Sequence, residues 1–284
     1  MKCDLHVHTL HSGMCTVPVF KRVCRESYST PAQVYDTLKR RGMDLVTVTD
    51  HDSIDACESL RTHPDFFLSE EATCRTSRGT ELHVGVYDID ERDHIEIQRR
   101  RDDLAALFAY FGERELLFAI NHVFSGLTGA RAESDYDEFA EYFPAVEVLN
   151  GQMLPIANQH AEAFAIRHRK IALAGSDSHT LASLGRTYTE VHGARDRREF
   201  LDGLKRGRTV AFGESGNYSK LTRAVLEISC GMMGERRWTA WLAPLLAGVP
   251  LVVLARILQE LAFAHHWGRR TTRVLNAVAA LERS

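Results

Sequence analysis

None of the six cysteines, Cys3, Cys15, Cys24, Cys57, Cys74 and Cys230, stands in a C-x-x-C pair. No secretory apolar core precedes the first strand-like run, so a reducing cytoplasm is the expected setting. An excess of one charge is also missing: 35 basic residues face 38 acidic ones, a net charge of −3. A duplex-reading protein would be more basic, so sequence-specific nucleic-acid binding is not expected. A site that grips single phosphates remains compatible with this balance. Nor is there an unbroken apolar run of the roughly 20 residues that a spanning helix needs. The most apolar stretch, Trp238–Trp267, is uninterrupted only to Ala255 and contains Thr239, Gly248 and two prolines.

What the chain does have is length, apolar content and histidine. With 284 residues, 44% of them hydrophobic, it can bury a full core without disulfides or metals to staple it. Fourteen histidines are present, six of them directly beside Asp, Gly, Ser or Asn. Seven short apolar runs recur, at Cys3–Val7, Asp44–Thr49, Phe66–Ser69, Leu82–Tyr87, Leu117–Ile120, Ala145–Leu149 and Ile171–Ala174. Their length and β-branched content favour buried strands. Helix-like stretches lie between them. Thr30-Pro31 before AQVYDTLKRRG supplies an N-cap, a proline at the first helical position and a glycine stop. His94–Phe111 and Ile156–Arg169 carry mixed apolar and charged faces. Alternation of this kind predicts an α/β fold with parallel strands, as a closed barrel or an open doubly wound sheet.

Metal-type side chains cluster at the strand ends. His6 and His8 close the first run, Asp50-His51-Asp52 follow the second, and Glu70-Glu71 the third. His83 lies within the fourth, Asn121-His122 follow the fifth, Asn150 the sixth, and Asp177 and His179 the seventh. In α/β folds the C-terminal ends of parallel strands form one rim, where active sites sit. The strand period of two puts His6 and His8 on one face, able to chelate one ion. Asp4 shares that face and is a candidate to hold a ring N–H. Asp50 or Asp52 is expected to orient His51, and Asp52 or Ser53 can cap a helix at the same time, since capping needs only one of these residues. One of Glu70 and Glu71 can face inward and bridge two cations. His83 or His122 alone would be an ordinary strand residue; they gain weight from the set.

These motifs together resemble the PHP family, named for its polymerase and histidinol phosphatase members. The matching elements are D-L-H-V-H-T (Asp4–Thr9), T-D-H-D (Thr49–Asp52), the glutamate and histidine of S-E-E-A-T and L-H-V-G, N-H (Asn121-His122) and G-S-D-S-H (Gly175–His179), in family order over roughly residues 2–213. The resemblance implies a distorted (β/α)7 barrel over 1–213, followed by a helical extension over 214–284. It also implies two or three divalent ions, Mn, Fe or Zn. His6, His8, Glu71 and Asp177 match the ligands of the first ion. Glu71, the position of the family's single glutamate, would bridge to a second ion held by His83 and His122. His51 and His179 match ligands of the third. The sequence departs from the family at Gly13 and Met14, where an Asp or His is usual. His11 or Cys15 could substitute there, and otherwise the third site is weak. Cys15–Tyr28 reads as an insertion.

The expected activity is metal-dependent hydrolysis of a phosphomonoester or a short nucleotide, because adjacent cations activate water and offset phosphate charge. Arg186 is the candidate phosphate clamp. His179 or Asp52 is the candidate proton donor to the leaving oxygen. Two alternatives stand beside this: a metal-dependent hydrolase of C–N bonds, and a degenerate metal-binding barrel tethered by its C-terminal helices. Trp238–Trp267 is expected to pack on the barrel, a partner or a membrane surface, with a true span the less favoured reading.

Overall fold

The computed structural model describes residues 1–17, 20–76 and 78–281. The strands are β1 (Lys2–Cys3), β2 (Ser69–Arg75), β3 (Glu81–Tyr87), β4 (Leu117–Ile120), β5 (Ala145–Asn150), β6 (Ile171–Gly175), β7 (Thr187–Val191) and β8 (Thr209–Gly213). The helices are α1 (Pro31–Arg40), α2 (Cys57–Leu60), α3 (Glu91–Arg100), α4 (Leu104–Glu113), α5 (Glu133–Tyr142), α6 (Pro155–Arg167), α7 (Arg197–Lys205), α8 (Tyr218–Glu235) and α9 (Val249–Leu281). A 3₁₀ segment, Arg237–Gly248, joins α8 to α9.

The fold is mixed α/β. One sheet runs β2-β3-β4-β5-β6 and the other β1-β7-β8. Irregular bridges connect them. Val7 pairs with Ser178, Val46 with Phe66 and His51 with Glu71, all parallel, and the Thr49 N–H donates to the Val7 carbonyl at 2.8 Å. The N-terminal rim motifs therefore lie between the two outer strands of the five-stranded sheet.

Two expectations about the strands need correction. The strands are not all parallel: β3 runs antiparallel to both β2 and β4. Only Thr76–Thr80 separates β2 from β3, whereas a parallel return needs a crossover of a dozen or more residues. The third strand also begins later than expected, so Glu70 and Glu71 lie inside β2 rather than beyond it. β7 and β8 were not anticipated. Thr187, Thr189 and Val191 alternate inward along β7, and the threonines hide the pattern from an apolar-run reading.

Helix signals fare better. Thr30 caps α1 in a reciprocal box with Gln33, and Pro31 opens the helix. The His94–Phe111 stretch is two helices, each capped by its own aspartate, Asp90 and Asp103. The main core gathers β2–β5 residues with Phe111, Phe124, Phe139 and Phe164, and it includes Ala264 and Trp267 of α9. Trp267 stacks near Tyr136, ring centroids 5.3 Å apart. Glu260 reaches the loop after β4, accepting from the Ser125 hydroxyl at 2.8 Å and the Gly126 N–H at 3.0 Å. The C-terminal helices are thus seated on the sheet side of the molecule.

Candidate metal centre

Glu71, fully buried in β2, is the centre of the cluster. His6 Nε2 is 3.1 Å, His51 Nδ1 3.2 Å and His8 Nε2 3.4 Å from its Oε2. His83 Nδ1 and His122 Nε2 are 3.4 and 3.5 Å from its Oε1. Asn121 Nδ2 donates to Oε1 at 2.8 Å. Asp177 lies alongside, its Oδ1 3.3 Å from His8 Nε2 and 3.6 Å from both His6 Nε2 and His179 Nδ1. All eight residues proposed from sequence as metal ligands therefore lie in one cluster.

The supporting contacts fix which nitrogen each ring presents. Glu147 of β5 accepts from His6 Nδ1 at 2.8 Å, so His6 Nε2 faces Glu71. Ser12 donates to Asp50 at 2.6 Å and therefore accepts from His8 Nδ1 at 2.9 Å. That leaves His8 Nε2 with its lone pair toward the carboxylates. His179 Nδ1 donates to the Asp177 carbonyl at 3.1 Å. Glu147 also accepts from the His122 N–H and from Asn150 Nδ2, and Asn150 Nδ2 reaches Asp177 Oδ2 at 3.0 Å. This is the outer layer of hydrogen bonds that orients metal-binding imidazoles.

Asp4 does not hold a ring N–H. It accepts from the backbone of Ser176 at 2.7 Å and Gly185 at 2.8 Å, clamping the G-S-D-S-H loop to the first strand. Asp50 likewise binds Thr9 and Ser12 rather than His51. The close approach of these segments explains Gly175: a Cβ there would lie 2.3 Å from that of His6. Asp177 (φ 50°) and His122 (φ 31°) both adopt left-handed backbone, a conformation that costs non-glycine residues about 1–3 kcal/mol and clusters at functional sites.

Electrostatics follow from this crowding. Burial pushes Asp177 upward, but His6, His8 and His179 outweigh it and hold the carboxyl well below its ordinary range. Glu71 is depressed by the same contest, through His6, His51 and His83. Burial, aided by His179, draws His8 down to about 4, and burial also holds His51 well below the usual histidine value. Burial lowers His6 and His83, but Glu71 outweighs it and raises both; divalent cations require neutral imidazoles beside ionised carboxylates, so ion binding there would release those protons.

Two of the proposed catalytic residues are engaged elsewhere. Asp52 pairs with Arg101 at 2.7 Å and accepts from the Thr73 N–H at 2.8 Å. Arg186 is half exposed and sits 3.6 Å from Glu214. His11 and Cys15 do not fill the place left by Gly13 and Met14; Glu26 stands there instead. Met14 bridges to Arg25 across the insertion, which sets Glu26 Oε2 3.3 Å from His51 Nε2 and 4.0 Å from His179 Nε2. Glu26 and Glu147 were both missed from sequence. Glu147 interrupts an otherwise apolar strand, a signal that could have marked it.

The donor set suits cations. Among the described residues, three groups have ligand atoms within 4.8 Å of one another: His6, His8 and Asp177; His51, Glu71 and His83; and His8, His51 and His179. His8 Nε2, His51 Nδ1, His83 Nδ1 and Glu26 Oε2 are buried without a hydrogen-bond partner. Orphaned polar atoms aimed at a common point are costly unless an ion satisfies them.

A mixed α/β chain whose loops and strands converge on a rim of imidazoles and carboxylates is the class that fold and site define. The family model described as PHP-associated matches residues 155–209. That match covers about a fifth of the chain and lies over α6, β6, β7 and α7. Among solved structures, PsfC from Pseudomonas syringae overlays with a TM-score of 0.56 at 18% identity, covering 82% of this chain and 98% of its own. At that identity the likeness is one of fold. A candidate metal-dependent phosphoesterase from Bifidobacterium adolescentis overlays at 0.46, with 14% identity over 71% of this chain and 96% of its own. The lesion-specific endonuclease EndoQ from Pyrococcus furiosus overlays at 0.49, with 17% identity over 72% and 55%. No curated protein matches the chain in sequence.

Proposed function

We propose that the chain is a metal-dependent phosphoesterase acting on a phosphomonoester or the terminal phosphate of a short nucleotide. One observation carries the reading. Five imidazoles and an amide crowd the Glu71 carboxylate at 2.8–3.5 Å in a buried site. A carboxylate offers about four lone-pair positions, and a ring nitrogen that turns a lone pair toward it is repelled, so six groups cannot all be served by hydrogen bonding. Cations placed between carboxylate and imidazoles resolve the conflict.

His6, His8, Glu71 and Asp177 form the first proposed ligand set. Glu71, His83 and His122 form the second, and His51, His179 and Glu26 the third. Divalent ions held there would activate water near neutral pH and offset charge on a phosphate. The chain's own contribution is orientation. Glu147, Ser12 and the Asp177 carbonyl hold one nitrogen of His6, His8 and His179 and turn the other inward. His179 also lines the opening of the site, where a leaving group must depart. Asp52 and Arg186 are given no part in this reading, each being paired with an opposite charge.

The frame is read as the distorted (β/α)7 barrel. Support comes from the bridges at Val7, Val46 and His51, which carry the order of neighbours from β6 through two irregular strands back to β2.

The test pairs metal analysis of purified protein with hydrolysis of p-nitrophenyl phosphate and a phosphometabolite panel. His6→Ala and Asp177→Ala should each lower bound metal and cut turnover by about 10³-fold or more, the scale expected when an electrostatic catalytic element is removed. Ammonia release from amides without phosphate release would replace this reading with the C–N hydrolase. Near-normal turnover in the double variant would remove it.

A further inference from the structure

Apolar cavities border the metal rim. Two cavities, of about 330 and 610 Å³, flank its mouth and share His179, Val225, Ile228 and Val252. The first also touches Asp177 and the second Glu26, so both reach the cluster itself. Much of each wall is supplied by α8, the 3₁₀ segment and α9, through side chains such as Leu221, Met232, Leu242 and Ile257, with Met153 and Leu154 completing the first and Phe20 and Cys24 the second. Arg256 and Glu260 are paired at 3.1 Å within the first wall. The volumes lie in the range of sites that hold small organic ligands. A small polar phosphate ester would leave such walls unfilled.

The outside of the same walls is also apolar. Trp238, Trp241, Leu245, Leu251 and Val252 are 60–71% exposed. Val252 and Leu245 both line a cavity and face outward, so the cavity mouth lies within the exposed apolar surface. Patches of this kind mark contact with a partner or a lipid phase. Tryptophans beside Arg236 and Arg237 suit a membrane–water interface. The segment Arg237–Thr271 has the length and composition of a span. Its inner face, however, is already committed: Val253, Ala264 and Trp267 are buried, and Glu260 is bonded to Ser125 and Gly126. A helix fixed in this way lies on a bilayer rather than through it.

We propose that the substrate is a membrane-resident amphiphile, a phosphate ester carried on a hydrocarbon chain. Its phosphate meets the rim and its chain fills the cavity under α8 and α9. This rests on the phosphoesterase reading and adds the substrate class. Glu260 fixes the cavity roof to the loop that follows His122, which keeps tail site and rim in register.

The experiment compares ethyl, butyl, octyl and dodecyl phosphate on the metal-loaded full chain, with phosphatidylcholine vesicles carrying dodecyl phosphate as a further arm. Each buried methylene contributes about fourfold, so kcat/KM should rise roughly 100-fold or more from ethyl to octyl. Val225→Glu should collapse that ratio, and Trp241→Glu with Leu251→Glu should abolish vesicle cosedimentation. Equal kcat/KM across chain lengths overturns the proposal. So does a chain-length gain without vesicle association, which would place the amphiphile in solution. If no phosphate ester is cleaved, the phosphoesterase reading fails. Calorimetric binding of octylphosphonate against ethylphosphonate then decides the tail site separately: equal affinities overturn it, and a large preference for octyl upholds it.

Discussion

At the rim, His6, His8, Glu71 and Asp177 are buried polar groups gathered around a common centre. Along Arg237–Thr271 the anomaly is inverted: large apolar side chains stand in solvent on a helix whose other face is packed. Buried charge and exposed apolar surface are the two departures from ordinary folding that carry information. A fold that needed only stability would avoid both. The two regions meet at His179, which belongs to the cluster and to both cavities. On the proposed function, the contrast describes a single site with a polar end for chemistry and an apolar end for recognition.

The largest effect expected from breaking this pairing is removal of the apolar half. A chain ended after Gly216 loses Ala264 and Trp267 from the main core. It also loses the Glu260 bonds to the loop after His122. Trp267→Ala alone should cost about 3–5 kcal/mol, and the shortened chain should fail to give a cooperative melting transition. A soluble shortened chain with native circular dichroism and full metal content would show that the helices are an addition to a complete domain.

A smaller effect sharpens the polar half. Glu26→Gln removes the charge that the insertion brings to His51 and His179. The variant should keep the ions of the first two sets and lose one equivalent of metal by elemental analysis. Its thermal stability should stay within about 1 kcal/mol of the parent, as for a partly accessible group outside the core. Unchanged stoichiometry would remove Glu26 from the third set.

The sequence made the polar half readable for a physical reason. His6 and His8 stand two apart, and the strand period alone sends them the same way. Asp177 and His179 follow a glycine that the structure needs for close approach to His6. Glu26 was not readable, because its position depends on Met14 pairing with Arg25 across a loop whose path no local pattern fixes. The pairing of Asp52 with Arg101 and of Arg186 with Glu214 was not readable either, because those partners lie far away in sequence. The mixed strand directions were legible only in the short β2–β3 connection. On the apolar half, composition identified the unusual stretch, but which of its faces packs is decided by tertiary contacts through Val253, Ala264 and Trp267.

The smallest effect serves as the control. Asp93 is a buried carboxylate that needs no ion. It accepts from Tyr110 at 2.7 Å, from Arg114 Nε at 2.8 Å and from the Asp90 N–H at 3.0 Å. Burial raises its carboxyl, but the bonds from Arg114 and Tyr110 prevail and hold it below the ordinary value. A depressed folded-state value means that the unfolded chain binds the proton more readily. The stabilisation is then complete above the unfolded value near pH 4, and it fades as pH falls through the lower folded value. Asp93→Asn should cost about 1 kcal/mol at neutral pH, since Arg114 is partly exposed and screened by solvent. The difference from the parent in denaturant melts should shrink in acid, and it should be the same with metal loaded or chelated. A cost that changes with metal would tie α3 and α4 to the rim and end the independence on which the comparison of the two regions stands.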